Sequence, residues 1–168
     1  TDKAGMLGIT PDNCSEAITK GADFEVYKTT AGTEVTLNKK QCEQRRKLVD
    51  QINAKGFEAV VEEVAYTWFN RFIALRYMEV NNYIPQKVRV FTNENNEFKP
   101  ELLTDAIHIE LDGLDKQKVF DFIEHNNQED LYKYLLLTLC NDMNQYLPDM
   151  FASISDYKSL LMPNNLLR

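Results

Sequence analysis

The chain has 168 residues, of which 43% are apolar and 11% aromatic, and its formal net charge is −7 at pH 7. This length and apolar content are sufficient for a buried core, which excludes a disordered tail. The negative charge argues against a domain that wraps duplex DNA unaided, because neutralising phosphates requires clustered lysines and arginines.

The cysteines, the apolar runs and the chain ends indicate the cellular compartment and whether the chain is part of a longer protein. The 3 cysteines are an odd number without a CxxC spacing, which argues against a disulfide framework and a zinc site. No apolar run approaches the roughly 20 residues that span a bilayer, and the N-terminus lacks the regions of a secretory signal. We therefore expect a cytoplasmic protein with no membrane partner. The ends, TDKAGMLGI and MPNNLLR, indicate an excised piece of a longer protein.

The N-terminal part of the sequence predicts a short helix, a hairpin and a longer capped helix. The Thr-Pro pair at Thr10 is typical of a helix start, and this helix would end near Gly21. Alternating apolar and polar residues over about 23–37, interrupted by TTAGT, predict a small peripheral β-hairpin. Asn38 is a good N-cap for a helix that would end at Gly56.

This capped helix carries the basic cluster of the sequence. Its cations are Lys39, Lys40, Arg45, Arg46 and Lys47. Two interpretations are open for them, a solvated helix face and a face that contacts nucleic-acid phosphates.

An aromatic-rich apolar helix is predicted over about 57–81. At about 100° per residue, one apolar line forms, with further apolar residues on its flanks. The line contains Phe57, Val61, Val64, Trp68, Phe72 and Leu75, and its flanks contain Ala65, Phe69 and Ile73. So wide an apolar sector predicts a central helix with neighbours on several sides.

Three charged residues of this helix are of interest. Arg76 and Glu79 project into the apolar sector three residues apart, which predicts a partly buried ion pair that needs further hydrogen-bond partners. The pair either fixes the packing of a neighbouring element or contacts a ligand, nucleic acid or another domain. Arg71 lies at the edge of the polar face and is a further candidate for phosphate contact.

The C-terminal half predicts one short strand and a second core helix. The run KVRVFT alternates like a strand at about 87–92. A helix is predicted from about Gln128 to Leu147, with Leu131, Leu135, Leu139 and Met143 along one apolar line. The fold expected for residues 1–168 is a single, mainly α domain, an irregular helical bundle around the helix at 57–81.

The sequence contains few signals of catalysis. Its glycines are too scattered for a GxxxxGK or GxGxxG loop. The Glu97-Phe98-Lys99 triplet resembles half of a nuclease metal site, but no aspartate lies between Asp50 and Asp105 to complete it. The 2 histidines are not spaced against a second ligand. We therefore predict no catalytic, cofactor-binding or metal residues, and the residues alone indicate an interaction or scaffolding domain.

The segment EEVAYTWFNRFIALRYMEVNNYIP, from Glu62 to Pro85, resembles the N-terminal region of large bacterial adenine-specific DNA methyltransferases. The family it resembles most is the PglX type of type 1 BREX phage-defence systems. The stretches DFEVYKTTAGTEVTL, EQRRKLVDQI and DYKSLLMP support the resemblance, which therefore covers nearly the whole chain.

The resemblance implies a longer parent enzyme that transfers a methyl group from S-adenosylmethionine to adenine N6. The family's Asn/Asp-Pro-Pro-Tyr/Phe motif, which holds the flipped adenine, is absent from this sequence. Catalysis is therefore expected beyond Arg168, and the fragment itself needs no cofactor.

Two functions remain open for the segment. In the first, it packs on the methyltransferase core in the same polypeptide and helps to form the DNA channel, with Arg71 and the face from Lys39 to Lys47 near phosphates. In the second, it recruits other phage-defence proteins through the carboxylate-rich stretch from Glu94 to Asp130.

Overall fold

The computed structural model describes residues 2–154 and 157–167 of the chain. The fold class is confirmed, since the protein is mainly helical with one small antiparallel sheet of strand order β1-β2-β3. The elements are α1 (Asp2–Gly5), β1 (Thr19–Lys20), β2 (Phe24–Lys28), β3 (Glu34–Asn38), α2 (Lys39–Lys55), α3 (Phe57–Val80), α4 (Glu101–Thr104), α5 (Lys116–Glu124), α6 (Gln128–Asp142), a 3-10 turn (Met143–Gln145) and α7 (Tyr157–Leu160).

The chain divides into two compact units, and the division falls inside α3 between Thr67 and Trp68. The first unit contains the sheet, α2 and α7, and the second contains α4, α5 and α6. Within the described ranges, no helix has both the length and the apolar character needed to cross a membrane.

The sheet of the first unit contains the predicted hairpin and one additional strand. Strands β2 and β3 pair in the register Val26↔Thr36, and β1 pairs with the free edge of β2. The helix predicted from Thr10 is wrong. Thr10 instead forms a tight turn, in which its N–H donates to the Asn13 carbonyl oxygen at 2.8 Å and its Oγ1 accepts from the Asn13 N–H at 3.0 Å.

Helix α2 begins and ends at the predicted residues. The Asn38 side chain accepts from the Gln41 N–H, and the Gln41 side chain accepts from the Asn38 N–H, both at 3.0 Å. This reciprocal capping box satisfies two donors at the helix start. At the other end Gly56 adopts a φ of 92°, a conformation that side chains disfavour, and its N–H donates to the Ile52 carbonyl oxygen.

The buried surface of α3 is narrower than the sequence predicts. Its buried residues form a single stripe with steps of three or four positions, apart from the adjacent Met78 and Glu79 at its end. They are Phe57, Val60, Val64, Trp68, Arg71, Leu75, Met78 and Glu79. The predicted flank is wrong, because Phe69 is 61% exposed and Ile73 is 53% exposed. A helix whose apolar sector exceeds the surface that its neighbours cover leaves the remainder in water.

The strand predicted at 87–92 is absent, and the segment is irregular. Its backbone donors are used by a side chain, since the N–H groups of Val90 and Phe91 each donate to Glu79 Oε2 at 2.7 Å. Donors bonded to a carboxylate cannot also pair with a neighbouring strand.

Helix α6 supplies the core of the second unit, as its sequence predicts. Leu131, Leu135, Leu139 and Met143 are at most 3% exposed. Cys140 is equally buried, and desolvation raises the pKa of its thiol to about 12. This cysteine is a packed core residue with little thiolate character at neutral pH.

Candidate functional site

Arg45, a predicted phosphate contact, is buried inside the first unit and is only 5% exposed. Its Nε donates to the Leu7 carbonyl oxygen at 2.9 Å, and its Nη2 donates to the Ser15 carbonyl oxygen at 2.7 Å. The guanidinium carbon lies 3.6 Å from the centre of the Tyr27 ring. Burial lowers the pKa of Arg45 below its ordinary value. Arg45 therefore ties α2 to the N-terminal segment and the sheet.

Arg46 points outwards and forms an ion pair across to the sheet. Its Nη2 lies 2.7 Å from Glu25 Oε1, and its side chain is 60% exposed. Glu25 also accepts a hydrogen bond from the Tyr27 hydroxyl at 2.5 Å. The Tyr27 hydroxyl, and after it the Arg46 guanidinium, lower the pKa of the Glu25 carboxyl below its ordinary value of 4.5.

The Glu25 carboxylate is expected to make the first unit sensitive to acid. A carboxyl whose pKa is lowered by folding stabilises the fold above its unfolded pKa, and this contribution disappears as the pH falls through the folded pKa. Glu25→Gln should therefore lower the urea midpoint at pH 7 and reduce the loss of stability below about pH 4.5. Glu16 is exposed, and Glu16→Gln should change neither the urea midpoint at pH 7 nor the loss of stability in acid. Equal acid sensitivity of Glu25→Gln and the wild type would contradict the assignment.

Arg71, the candidate on α3, is also buried, with 4% exposure. Its Nη2 donates to the Ala152 carbonyl oxygen at 2.5 Å, and its guanidinium carbon lies 6.0 Å from the centre of the Phe151 ring. It also contacts the Cys140 thiol, whose pKa it lowers against the larger effect of burial. The guanidinium thus holds the segment at residues 151–152 against α3.

The basic surface that α2 presents to solvent is smaller than the sequence cluster. Of the five cations in that cluster, Lys39, Lys40, Arg46 and Lys47 are exposed. The exposed carboxylates Glu43 and Asp50 lie on the same helix and dilute the positive charge. We refer to the three lysines, Lys39, Lys40 and Lys47, as the α2 lysine face. These side chains are free to reach a phosphate backbone without breaking a contact described above.

The ion pair of Arg76 and Glu79 is the centre of a hydrogen-bond cluster in the second unit. Arg76 Nη1 lies 2.5 Å from Glu79 Oε1, and the Glu79 side chain is fully buried while that of Arg76 is 43% exposed. Thr92 Oγ1 donates to the same Glu79 oxygen at 2.5 Å, and Val90 and Phe91 donate to the other. Four donors satisfy this carboxylate, which explains how a charge is tolerated inside the protein.

An open apolar groove of about 660 Å³ lies beside this cluster, within the second unit. Phe69 and Ile73 of α3 form one wall, and Phe98 and Leu166 are among the residues that line it elsewhere. Sequence reasoning missed the groove, because it assigned Phe69 and Ile73 to the core. The sequence contains one signal of the groove. The apolar sector of α3 is wider than a single line of neighbouring side chains can bury, so part of it must face solvent or another segment.

The described residues give no support for a metal or cofactor site in this segment. Within 2–154 and 157–167, no three His, Cys, Asp or Glu side chains come together as a metal site. S-adenosylmethionine would need an open glycine cradle, but the space beside Gly8 is filled by Ser15 and Lys28. Gly32, Gly56 and Gly113 border open space without neighbours. We therefore assign no catalytic step to these residues.

Comparison with known proteins relates the chain to adenine-specific methyltransferases. It is 33% identical over 175 aligned positions to the adenine-specific methyltransferase PglX of Lacticaseibacillus casei (strain Zhang), covering 95% of this chain. It is 34% identical over 128 positions to the adenine-specific methyltransferase BrxX of Escherichia coli O9:H4 (strain HS), covering 74% of this chain. The resemblance to PglX-type enzymes is thereby confirmed. No family model matches the chain.

The chain is much shorter than these relatives. It spans 14% of the length of PglX and 11% of the length of BrxX. The comparison therefore relates this chain to one segment of such proteins.

Proposed function

We propose that this chain is the N-terminal helical region of a longer, S-adenosylmethionine-dependent DNA adenine-N6 methyltransferase of a phage-defence or restriction-modification system. The observation that carries the proposal is the similarity to PglX over 95% of this chain and only 14% of the relative. The parent would act on DNA in the cytoplasm. The region itself is non-catalytic and supports the catalytic core and the DNA channel.

The α2 lysine face supplies the DNA contact in this proposal. Its three lysines are exposed on one helix, and they flank Arg46, which is held by Glu25. Contacts to phosphate position a protein on DNA without reading its sequence. A locally basic helix on an acidic chain suits this role, because the rest of the parent would provide base recognition and chemistry.

The test replaces the α2 lysine face by glutamine in the full-length parent, as Lys39→Gln, Lys40→Gln and Lys47→Gln together. Removing contacts that only hold DNA should raise KM for DNA about 10- to 100-fold at physiological salt. The kcat should stay at the wild-type value, since no group at the reacting atoms has changed. A lowered kcat with an unchanged KM would contradict a DNA-positioning role.

A second candidate function is recruitment of another protein through the stretch 94–130. Most of its carboxylates are exposed, and Phe120 and Ile123 of α5 are 48% and 42% exposed among them. Exposed aromatic groups in a polar rim are typical of protein interfaces. Phe120→Ser combined with Ile123→Ser should then abolish co-purification of a partner while KM for DNA stays unchanged. Retained co-purification would exclude this surface.

A further inference from the structure

The groove on the second unit places large apolar side chains in water. Phe98 is 91% exposed, Phe69 is 61% exposed and Ile73 is 53% exposed, and all three line the same groove. A contiguous apolar surface that remains open in this way marks an interaction site.

The groove continues into an exposed stripe along the C-terminal part of α3. After Phe69 and Ile73, the stripe includes Tyr77, which is 62% exposed, and Val80, which is 57% exposed. These positions repeat every three or four residues, which is the spacing of a helix face that packs against another apolar segment. The buried stripe of α3 lies on other residues, so both faces of this part of the helix are suited to packing.

The chain itself leads to this groove. Leu166 and Leu167 line it. Their N–H groups donate to the two carboxylate oxygens of Glu129, at 2.9 Å from Leu166 and 3.4 Å from Leu167. Glu129 on α6 therefore holds the last described residues at the groove.

The position of Leu166 and Leu167 and the length of the relatives indicate which segment fills the groove. The chain spans only 14% of PglX, so a parent of that size contains several times more polypeptide than this structure. A segment in the same polypeptide that begins beside the groove has a high effective concentration there, and it needs no second molecule.

We propose that the groove is the docking site for an apolar segment of the same polypeptide that follows residue 168, and that this contact holds the helical region on the methyltransferase core. The inference rests on the proposed function, because it requires the core to follow this chain. Arg76 is the one charged residue among the described residues that line the groove, and its side chain is 43% exposed. The docked segment therefore carries leucine or aromatic side chains, and the part of the Arg76 guanidinium that Glu79 leaves exposed faces a hydrogen-bond acceptor of that segment.

The test is hydroxyl-radical footprinting of the full-length parent, read at individual phenylalanines. Phe24 and Phe120 are 44% and 48% exposed here, and they serve as references of the same chemistry on other surfaces. If the groove is filled, Phe69 and Phe98 should be labelled at less than about a tenth of the reference rate, despite their higher exposure in this structure. Labelling of Phe98 faster than Phe120 would overturn the proposal.

Two further measurements identify the occupant. Protection that disappears on dilution would show that a second copy fills the groove, which would overturn docking within one chain. A photo-crosslinking phenylalanine analogue at position 98 should crosslink to parent residues after 168, whereas a crosslink to another molecule would overturn the proposal.

An assay of DNA methylation by the same parent preparation distinguishes failure of the docking site from failure of the proposed function. Active enzyme with an open groove would contradict only the docking site. A protected groove in a parent that methylates no adenine would contradict only the proposed function.

Discussion

Replacing Glu79 with alanine is expected to lower the free energy of unfolding by about 3–5 kcal/mol, the range for breaking a buried charged pair by removing one partner. The substitution leaves the buried N–H of Val90, the N–H of Phe91 and the hydroxyl of Thr92 without their acceptor. Because these groups lie in a segment without strand pairing, no neighbouring backbone carbonyl replaces the carboxylate. Urea denaturation of the 168-residue chain measures the change.

Two variants on the same helix serve as comparisons. Glu79→Gln keeps an amide oxygen as acceptor and removes the charge, so its loss of stability should be smaller than that of Glu79→Ala. Glu62 is exposed on α3, and Glu62→Ala should stay within about 0.5 kcal/mol of the wild type. A Glu79→Ala protein as stable as Glu62→Ala would show that the cluster does not hold the segment 87–92 in place.

Neutralising the α2 lysine face should change the salt dependence of DNA binding by the parent. Each phosphate contact contributes about 0.9 to the slope of log affinity against log salt concentration. If all three lysines contact phosphates, the slope should become shallower by up to about 2.7. Binding isotherms at several salt concentrations, with one DNA duplex, give the slope directly.

The matched control removes three lysines of the second unit. Lys87, Lys99 and Lys118 are exposed, and their replacement by glutamine changes the net charge by the same amount. This variant should retain the wild-type slope. If both triple variants made the slope shallower by the same amount, the change would come from overall charge. The α2 lysine face would then lose its assigned role.

Local signals in the sequence were sufficient to predict α2 and the core stripe of α6. The Asn38 and Gln41 pair defines the helix start through contacts three residues apart, and Gly56 ends it through its own backbone preference. The leucine line of α6 depends only on helical periodicity. Such features are determined by neighbours in sequence, so no knowledge of the tertiary fold was needed.

The helical position of Arg45 indicates burial, although its charge suggests exposure. Arg45 lies three residues after Cys42 and three before Leu48, on the buried side of α2. Its acceptors are the carbonyl oxygens of Leu7 and Ser15, which lie about 30 or more positions away, so the sequence could not reveal that they meet the guanidinium. The prediction followed residue type and grouped Arg45 with the exposed cations, although its helical position indicates burial.

The segment 87–92 shows the limit of alternation as a signal. Val88 and Val90 are buried, which agrees with the alternating pattern. The hydrogen bonds, however, go to the carboxylate of Glu79. A period of two indicates extended backbone with one covered side, but a strand also requires a partner strand, and that depends on tertiary structure.

We propose that this segment serves a methyltransferase whose cofactor site lies elsewhere in the parent. Photo-crosslinking of labelled S-adenosylmethionine to the full-length parent, followed by peptide mapping, tests it most directly. We expect label on peptides after residue 168 and none on peptides from residues 1–168. Specific label within residues 1–168, competed away by unlabelled cofactor, would contradict it.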